Sequence, residues 1–122
     1  MVNLAIKHKI FLDNLVKNLS KINEDRDSVK FILSEPHLYR NNHHNEMKLC
    51  DLLVGFYDNS GLAVELKSSW EKRNKALAQL HNGYLLLESW GLQPIRKKIV
   101  VYGQGNYEFE EYISEDRVIS YY

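Results

Sequence analysis

Apolar and polar positions change period along the chain, and the changes divide it into elements. From Asn3 to Ser20, Leu4, Phe11, Leu15 and Leu19 recur at helical spacing while Lys7, Asp13, Asn14 and Lys17 fall elsewhere, and Asn3 is a suitable cap. The pattern predicts a helix covering one side of a sheet. Asn23 to Ser28 is polar and predicts a loop. Val29 to Leu33 predicts a short strand, stopped by Pro36, which has no N–H for a ladder. His37 to Met47, centred on Asn41-Asn42-His43-His44-Asn45, predicts an exposed loop.

The next stretch organises the chain. Leu49 to Tyr57 and Leu62 to Lys67 are apolar runs flanking Asp58-Asn59-Ser60-Gly61, the pattern of a β-hairpin. Ser68-Ser69 then caps a helix starting near Trp70 and running to about Trp90, with Ala76, Leu77, Leu80, Tyr84 and Leu87 on one face. Gly83 interrupts it at a cost of about 1 kcal/mol relative to alanine. Gly91 and Pro94 end it. Lys98 to Tyr102 predicts a strand, Tyr107 to Ile113 a half-exposed one, and Val118 to Tyr122 an edge strand or a tail. A helix between the hairpin and the next strand is a crossover, so the expected class is α/β: a mixed central sheet flanked by helices.

Composition narrows this only a little. The 122 residues suit one domain, 1–122. Sixteen basic residues balance sixteen acidic ones, so any basic surface must come from local clustering. Cys50 is the only cysteine; it excludes an internal disulfide and a thiolate zinc site, and points to an intracellular, cytoplasmic setting. Lys7, His8 and Lys9 interrupt the N-terminal apolar run, which reads against a signal peptide. No apolar run reaches the ~20 residues that span a bilayer.

Three charges sit where a buried hairpin should not hold them: Asp51, Glu65 and Lys67. Burying an ionised group costs several kcal/mol unless something pairs with it. Side chains alternate across a strand, so Glu65 and Lys67 share a face. Asp51 joins them if the numbers of each cross-strand pair add to an even value, as with Gly55 opposite Glu65; an odd loop such as Asp58 to Leu62 does this. A four-residue loop would require a bulge or bend near Asp51. Two carboxylates so placed suit Mg²⁺ or Mn²⁺, with the Leu66 backbone carbonyl completing the shell. Such a cation polarises a phosphate oxygen and acidifies a bound water, while Lys67 holds the water or offsets charge on the phosphate.

Asp51, followed fourteen positions later by Glu65-Leu66-Lys67, resembles the motif of the PD-(D/E)XK nuclease superfamily. Cys50-Asp51-Leu52-Leu53 and Ala63 to Lys67 are similar to the small archaeal and phage members, over roughly Asn3 to Tyr102. The resemblance implies a restriction-endonuclease-like αβββαβ core and a metal-dependent deoxyribonuclease. Asp51, Glu65, Lys67 and Gln79 would be catalytic, with the cation on Asp51, Glu65 and the Leu66 carbonyl. Gln79 fits the glutamine of the RecB-like branch. Tyr84 follows it by five residues where that pattern asks for four, a displacement of about 100° around a helix. Many members carry a glutamate on the first helix; this chain offers Asp13 there, and Glu35 is the candidate outer ligand in its place.

Lys72, Arg73 and Lys75 are the candidate phosphate-binding residues, against the alternative of a solvated face. Arg96, Lys97 and Lys98 form a second basic cluster with the same two readings. Trp70 either stacks on a base or packs on the sheet. His37, His43 and His44 read as a solvated loop before metal ligands, and Cys50 as a core residue before a nucleophile. Five of the eight tyrosines lie at or after Tyr102 and are the candidate surface for a homodimer. The alternative to a DNA nuclease is a binding or interaction module of the same fold without turnover.

Overall fold

The computed structural model describes residues 4–39, 46–103, 106–112 and 118–121. The elements are α1 (Leu4–Lys17), β1 (Val29–Ser34), β2 (His37–Tyr39), β3 (Glu46–Lys48), β4 (Leu52–Phe56), β5 (Gly61–Lys67), α2 (Arg73–Ser89), β6 (Ile95–Tyr102), β7 (Tyr107–Tyr112) and β8 (Val118–Tyr121). Six strands form one mixed sheet in the order β1-β4-β5-β6-β7-β8, with β5 and β6 parallel and the other neighbours antiparallel. The class is α/β. No helix among the described residues is long and apolar enough to cross a membrane.

The sheet is covered on both faces, as the near-continuous apolar runs of β4 and β5 require. Leu12 and Leu15 of α1, with Leu19 and Ile22 just beyond it, pack on Leu52, Val54, Leu62, Val64, Leu66 and Val100. Ala76, Leu80 and Leu87 of α2 pack on Leu53, Ala63, Ile99 and Val101 on the other face. Gly83 is explained by this second interface: a Cβ there would lie 2.8 Å from the Cys50 Sγ. The helix approaches β4 too closely for a side chain at that position, and this contact outweighs the propensity cost.

Three expectations are corrected. His37 to Met47 is not all loop: His37–Tyr39 pairs with Glu46–Lys48, because antiparallel pairing resumes past Pro36, whose carbonyl accepts from the Leu49 amide. His43 and His44 lie outside the described residues. β7 is more buried than its alternating glutamates suggest, with Phe109, Glu110 and Tyr112 inside. It is flanked by β6 and β8, and Arg73 reaches across to pair with Glu110. The tyrosines from Tyr102 onward are not a free surface as a set. Tyr102 and Tyr112 are buried, and Tyr107 donates to the Phe11 carbonyl at 2.8 Å.

The second basic cluster is internal too. Arg96 forks onto both Glu24 carboxylate oxygens at 2.7 and 2.8 Å and also reaches Glu111 at 2.8 Å. Lys98 is buried and donates to Glu24 and to the Ile22 carbonyl. Lys97 is buried with its ammonium over the Tyr84 ring. Arg96 and Lys98 thereby tie the segment after α1 to the sheet.

The Glu24 carboxyl carries a pH dependence. Burial alone would raise its pKa, but hydrogen bonds from Arg96 and Lys98 outweigh that and hold it below the ordinary value of 4.5. A depressed folded pKa stabilises above the unfolded value, and that stability is lost as pH falls through the folded one. Glu24→Gln is expected to destabilise by about 3 kcal/mol at pH 7, because it leaves Arg96 and buried Lys98 with Glu111 as the one remaining carboxylate of the network. In urea unfolding followed by circular dichroism, the gap between wild type and variant should close as pH is lowered below 4.5.

Candidate functional site

The hairpin loop sets the register that the site needs. Asn59 donates to the Phe56 carbonyl, Phe56 donates to the Ser60 carbonyl, and Asn59 has φ 73°. This is a three-residue loop closed by a left-handed residue, a role asparagine fills readily. Asp58 accepts from the Ser60 amide at 2.9 Å and steadies it. Leu52 then faces Val64 and Gly55 faces Gly61, so paired numbers add to an even value. The parity is the expected one. The example pairing of Gly55 with Glu65 is not made, because the loop is shorter than Asp58 to Leu62.

Continued by one residue, that register sets Asp51 opposite Glu65. The two acids then exchange bonds with the opposing backbone. The Asp51 amide donates to Glu65 Oε1 at 2.9 Å, and the Leu66 amide donates to Asp51 Oδ2 at 2.7 Å. Both acids are 1% exposed. Asp51 also sits beside a bulge. The Glu35 amide donates to the Asp51 carbonyl and the Leu49 amide to the Pro36 carbonyl, which leaves Cys50 as the extra residue between β3 and β4. Bulges bend a strand and re-aim its side chains. Here Asp51 reaches the sheet end nearest α1, whereas Lys67 reaches α2.

A residue of α1 completes the cluster. His8 Nε2 lies 3.2 Å from Asp51 Oδ2 and 3.2 Å from the Leu66 carbonyl oxygen. A carbonyl only accepts, so Nε2 carries the hydrogen in this state. The His8 ring also meets the Tyr102 ring edge-on, with centroids 6.3 Å apart. Asp13, the acid available on α1 by sequence, is exposed instead. In the sequence His8 registers only as a break in an apolar run. One helical turn separates it from Leu12, which is buried on the sheet, and that spacing is the signal that could have found it.

Glu35 joins from the other side. Potential ligand atoms of His8, Glu35 and Asp51 all lie within 4.8 Å of one another. Glu35 has φ 50°, a left-handed conformation uncommon for a residue with a side chain and recurrent at functional sites. The two carboxylates and the neighbouring Leu66 carbonyl are oxygen donors of the kind a hard divalent cation such as Mg²⁺ or Mn²⁺ takes, whereas the imidazole is a donor typical of transition metals. The three-residue group is His8–Glu35–Asp51, and Glu65 is not a member of it. The Glu65 carboxylate is turned to the Asp51 amide and to Lys67 Nζ, 3.4 Å away.

Lys67 Nζ donates to Gln79 Oε1 at 2.8 Å. An ammonium has three N–H groups, so with Gln79 and Glu65 beside it a donor remains for the cavity. The cavity, of about 370 Å³, is lined by His8, Asp51, Glu65, Leu66, Lys67 and Gln79, together with Ser68, Lys72, Lys75 and Tyr102. Arg73 is not among these: it pairs with Glu110, and its guanidinium lies over the Trp70 ring. Trp70 donates to Glu108 at 2.9 Å and packs on the α2-side core. Tyr84 is likewise elsewhere. It donates to Glu88 and lines a second cavity, as the extra residue after Gln79 implies.

Burial, helped by the Asp51 charge, raises the Tyr102 phenol pKa, so this side chain stays protonated. Burial and then the Glu65 charge push the Cys50 thiol up to about 12. A thiolate is the reactive form. At pH 8, native protein should therefore react with an aromatic disulfide reagent more than about a hundredfold slower than protein in concentrated urea, where the pKa returns toward 8.5. The absorbance of the released thiol measures both rates.

Comparison with protein-family models, with curated proteins and with solved structures found no match for this chain.

Proposed function

We propose that this protein is a metal-dependent deoxyribonuclease of the PD-(D/E)XK type. One observation carries the reading: two acids, each 1% exposed, share a cavity with an ammonium held by a glutamine. Burial of both acids is expensive without a cation, and Lys67 is only partial compensation. The order α1, β1, β4, β5, α2, β6, with β4 antiparallel and β6 parallel to β5, also supports it. An αβββαβ core such as the resemblance implies would have this order, with β2–β3 as an insertion and β7–β8 as an extension.

Asp51, Glu35, His8 and the Leu66 carbonyl would hold the cation, with Glu65 beside them. A bound Mg²⁺ or Mn²⁺ would polarise a phosphate oxygen and acidify water. Glu65 and Gln79 fix the Lys67 ammonium from two sides. Its remaining N–H orients the attacking water or meets the charge that develops on the phosphate. Lys72 and Lys75, on the same cavity wall, bind flanking phosphates.

The test is cleavage of labelled single-stranded, duplex and branched DNA with Mg²⁺ or Mn²⁺. Asp51→Ala and Lys67→Ala should each lower the cleavage rate at least about a hundredfold, the size expected for losing a cation ligand or a transition-state donor. Cleavage that survives both changes would remove the proposed site. Metal-dependent binding without cleavage of any substrate would favour a binding module of this fold.

Lys72 and Lys75 make a separate prediction. Replacing both by alanine should flatten the dependence of log affinity on log salt by about 2, one for each lysine that no longer neutralises a phosphate. Fluorescence anisotropy across a salt series reads the slope.

A further inference from the structure

The Tyr102 side chain lines the cavity, and among the described residues its hydroxyl has no hydrogen-bond partner. The residue is only 6% exposed. Its ring is fixed: it stacks on Phe11 with centroids 4.4 Å apart and planes 17° apart, and it meets the His8 edge. The hydroxyl is not among the buried polar atoms left without a partner, so it opens to the cavity, and the fixed ring holds it there for water or a ligand.

Position decides what it can meet. Lys67 pairs in register with Val101, so Tyr102 ends β6 at the level of the site. Side chains alternate, so Tyr102 emerges on the α1 face and Lys67 reaches Gln79 on the α2 side. Asp51 is already supplied with donors by the Leu66 amide and His8. A phosphate at the sheet end would offer one non-bridging oxygen to the lysines and the other to the opposite wall, where Tyr102 is the hydroxyl donor.

We propose that Tyr102 is a substrate contact, donating its hydroxyl hydrogen to a non-bridging oxygen of the DNA phosphate in the cavity. This rests on the deoxyribonuclease reading and adds to it a neutral donor facing the lysines. A phenol displaces no counterion, so its contribution differs in kind from theirs.

Tyr102→Phe keeps the ring stack and removes only the hydroxyl, which makes no internal bond, so its melting temperature should match wild type. Its cleavage rate should fall about tenfold to a hundredfold, as for losing one hydrogen bond to a charged group. Mn²⁺ affinity, read by electron paramagnetic resonance without DNA, should stay within about twofold, and the salt slope of DNA binding should not change. A substrate with one non-bridging oxygen replaced by methyl, in the isomer facing Tyr102, should erase the difference between wild type and variant. Wild-type cleavage by the variant would overturn the contact and leave the nuclease reading intact. A fall in Mn²⁺ affinity that accounts for the slower cleavage would also overturn it, by showing that Tyr102 acts through His8. A wild type that neither binds Mn²⁺ nor cuts DNA would end the nuclease reading and this contact with it.

Discussion

The site depends on a reciprocal clamp at the open end of the central hairpin. Where the β4–β5 ladder stops, each strand offers a backbone amide, and each opposing acid accepts it: Asp51 from Leu66, and Glu65 from Asp51. Charge-assisted hydrogen bonds of this kind are about twice as strong as neutral ones. They give each buried carboxylate a donor that burial would otherwise deny it. They also fix where each remaining oxygen points, before any ligand arrives.

The surrounding architecture delivers the rest to that point. The left-handed Asn59 closes the hairpin with the correct parity. The Cys50 bulge turns Asp51 toward α1, where His8 lies between the carboxylate and the Leu66 carbonyl. On the other face Gln79 restrains Lys67. Gly83 lets α2 lie close enough to β4 for this reach. His8, Asp51 and the Leu66 carbonyl, the groups proposed to hold a cation, thus meet on the α1 side of the sheet end, and the lysines proposed to meet phosphate line the cavity with α2.

Electrostatics divides in the same way. Glu24 with Arg96 and Lys98 is a structural network tying the segment after α1 to the sheet. Arg73 with Glu110 ties α2 to β7. These pairs consume cations that a charge count would assign to nucleic acid. Lys67, Lys72 and Lys75, with His8, are the basic side chains among the residues lining the cavity. In a neutral chain, this local sorting matters more than the total.

Local pattern alone was enough for the α/β class, the two helices, the central hairpin and the trio Asp51, Glu65 and Lys67. Each is a statement about period, turn chemistry or the cost of a misplaced charge within a short stretch. The family resemblance, not the pattern, singled out Gln79 and Glu35, and charge clustering singled out Lys72 and Lys75; Gln79 and both lysines line the cavity, and Glu35 lies with His8 and Asp51. It took the packed chain to put His8 with Asp51 and Leu66, to turn Arg73 and Tyr84 elsewhere, and to make Lys97 and Lys98 interior. Packing also made Tyr102 a cavity wall. These outcomes depend on how α1 and β6 dock against β5, far away along the chain. Contacts across that distance arise from covering two faces of one sheet, and no spacing of residues within a single element encodes them.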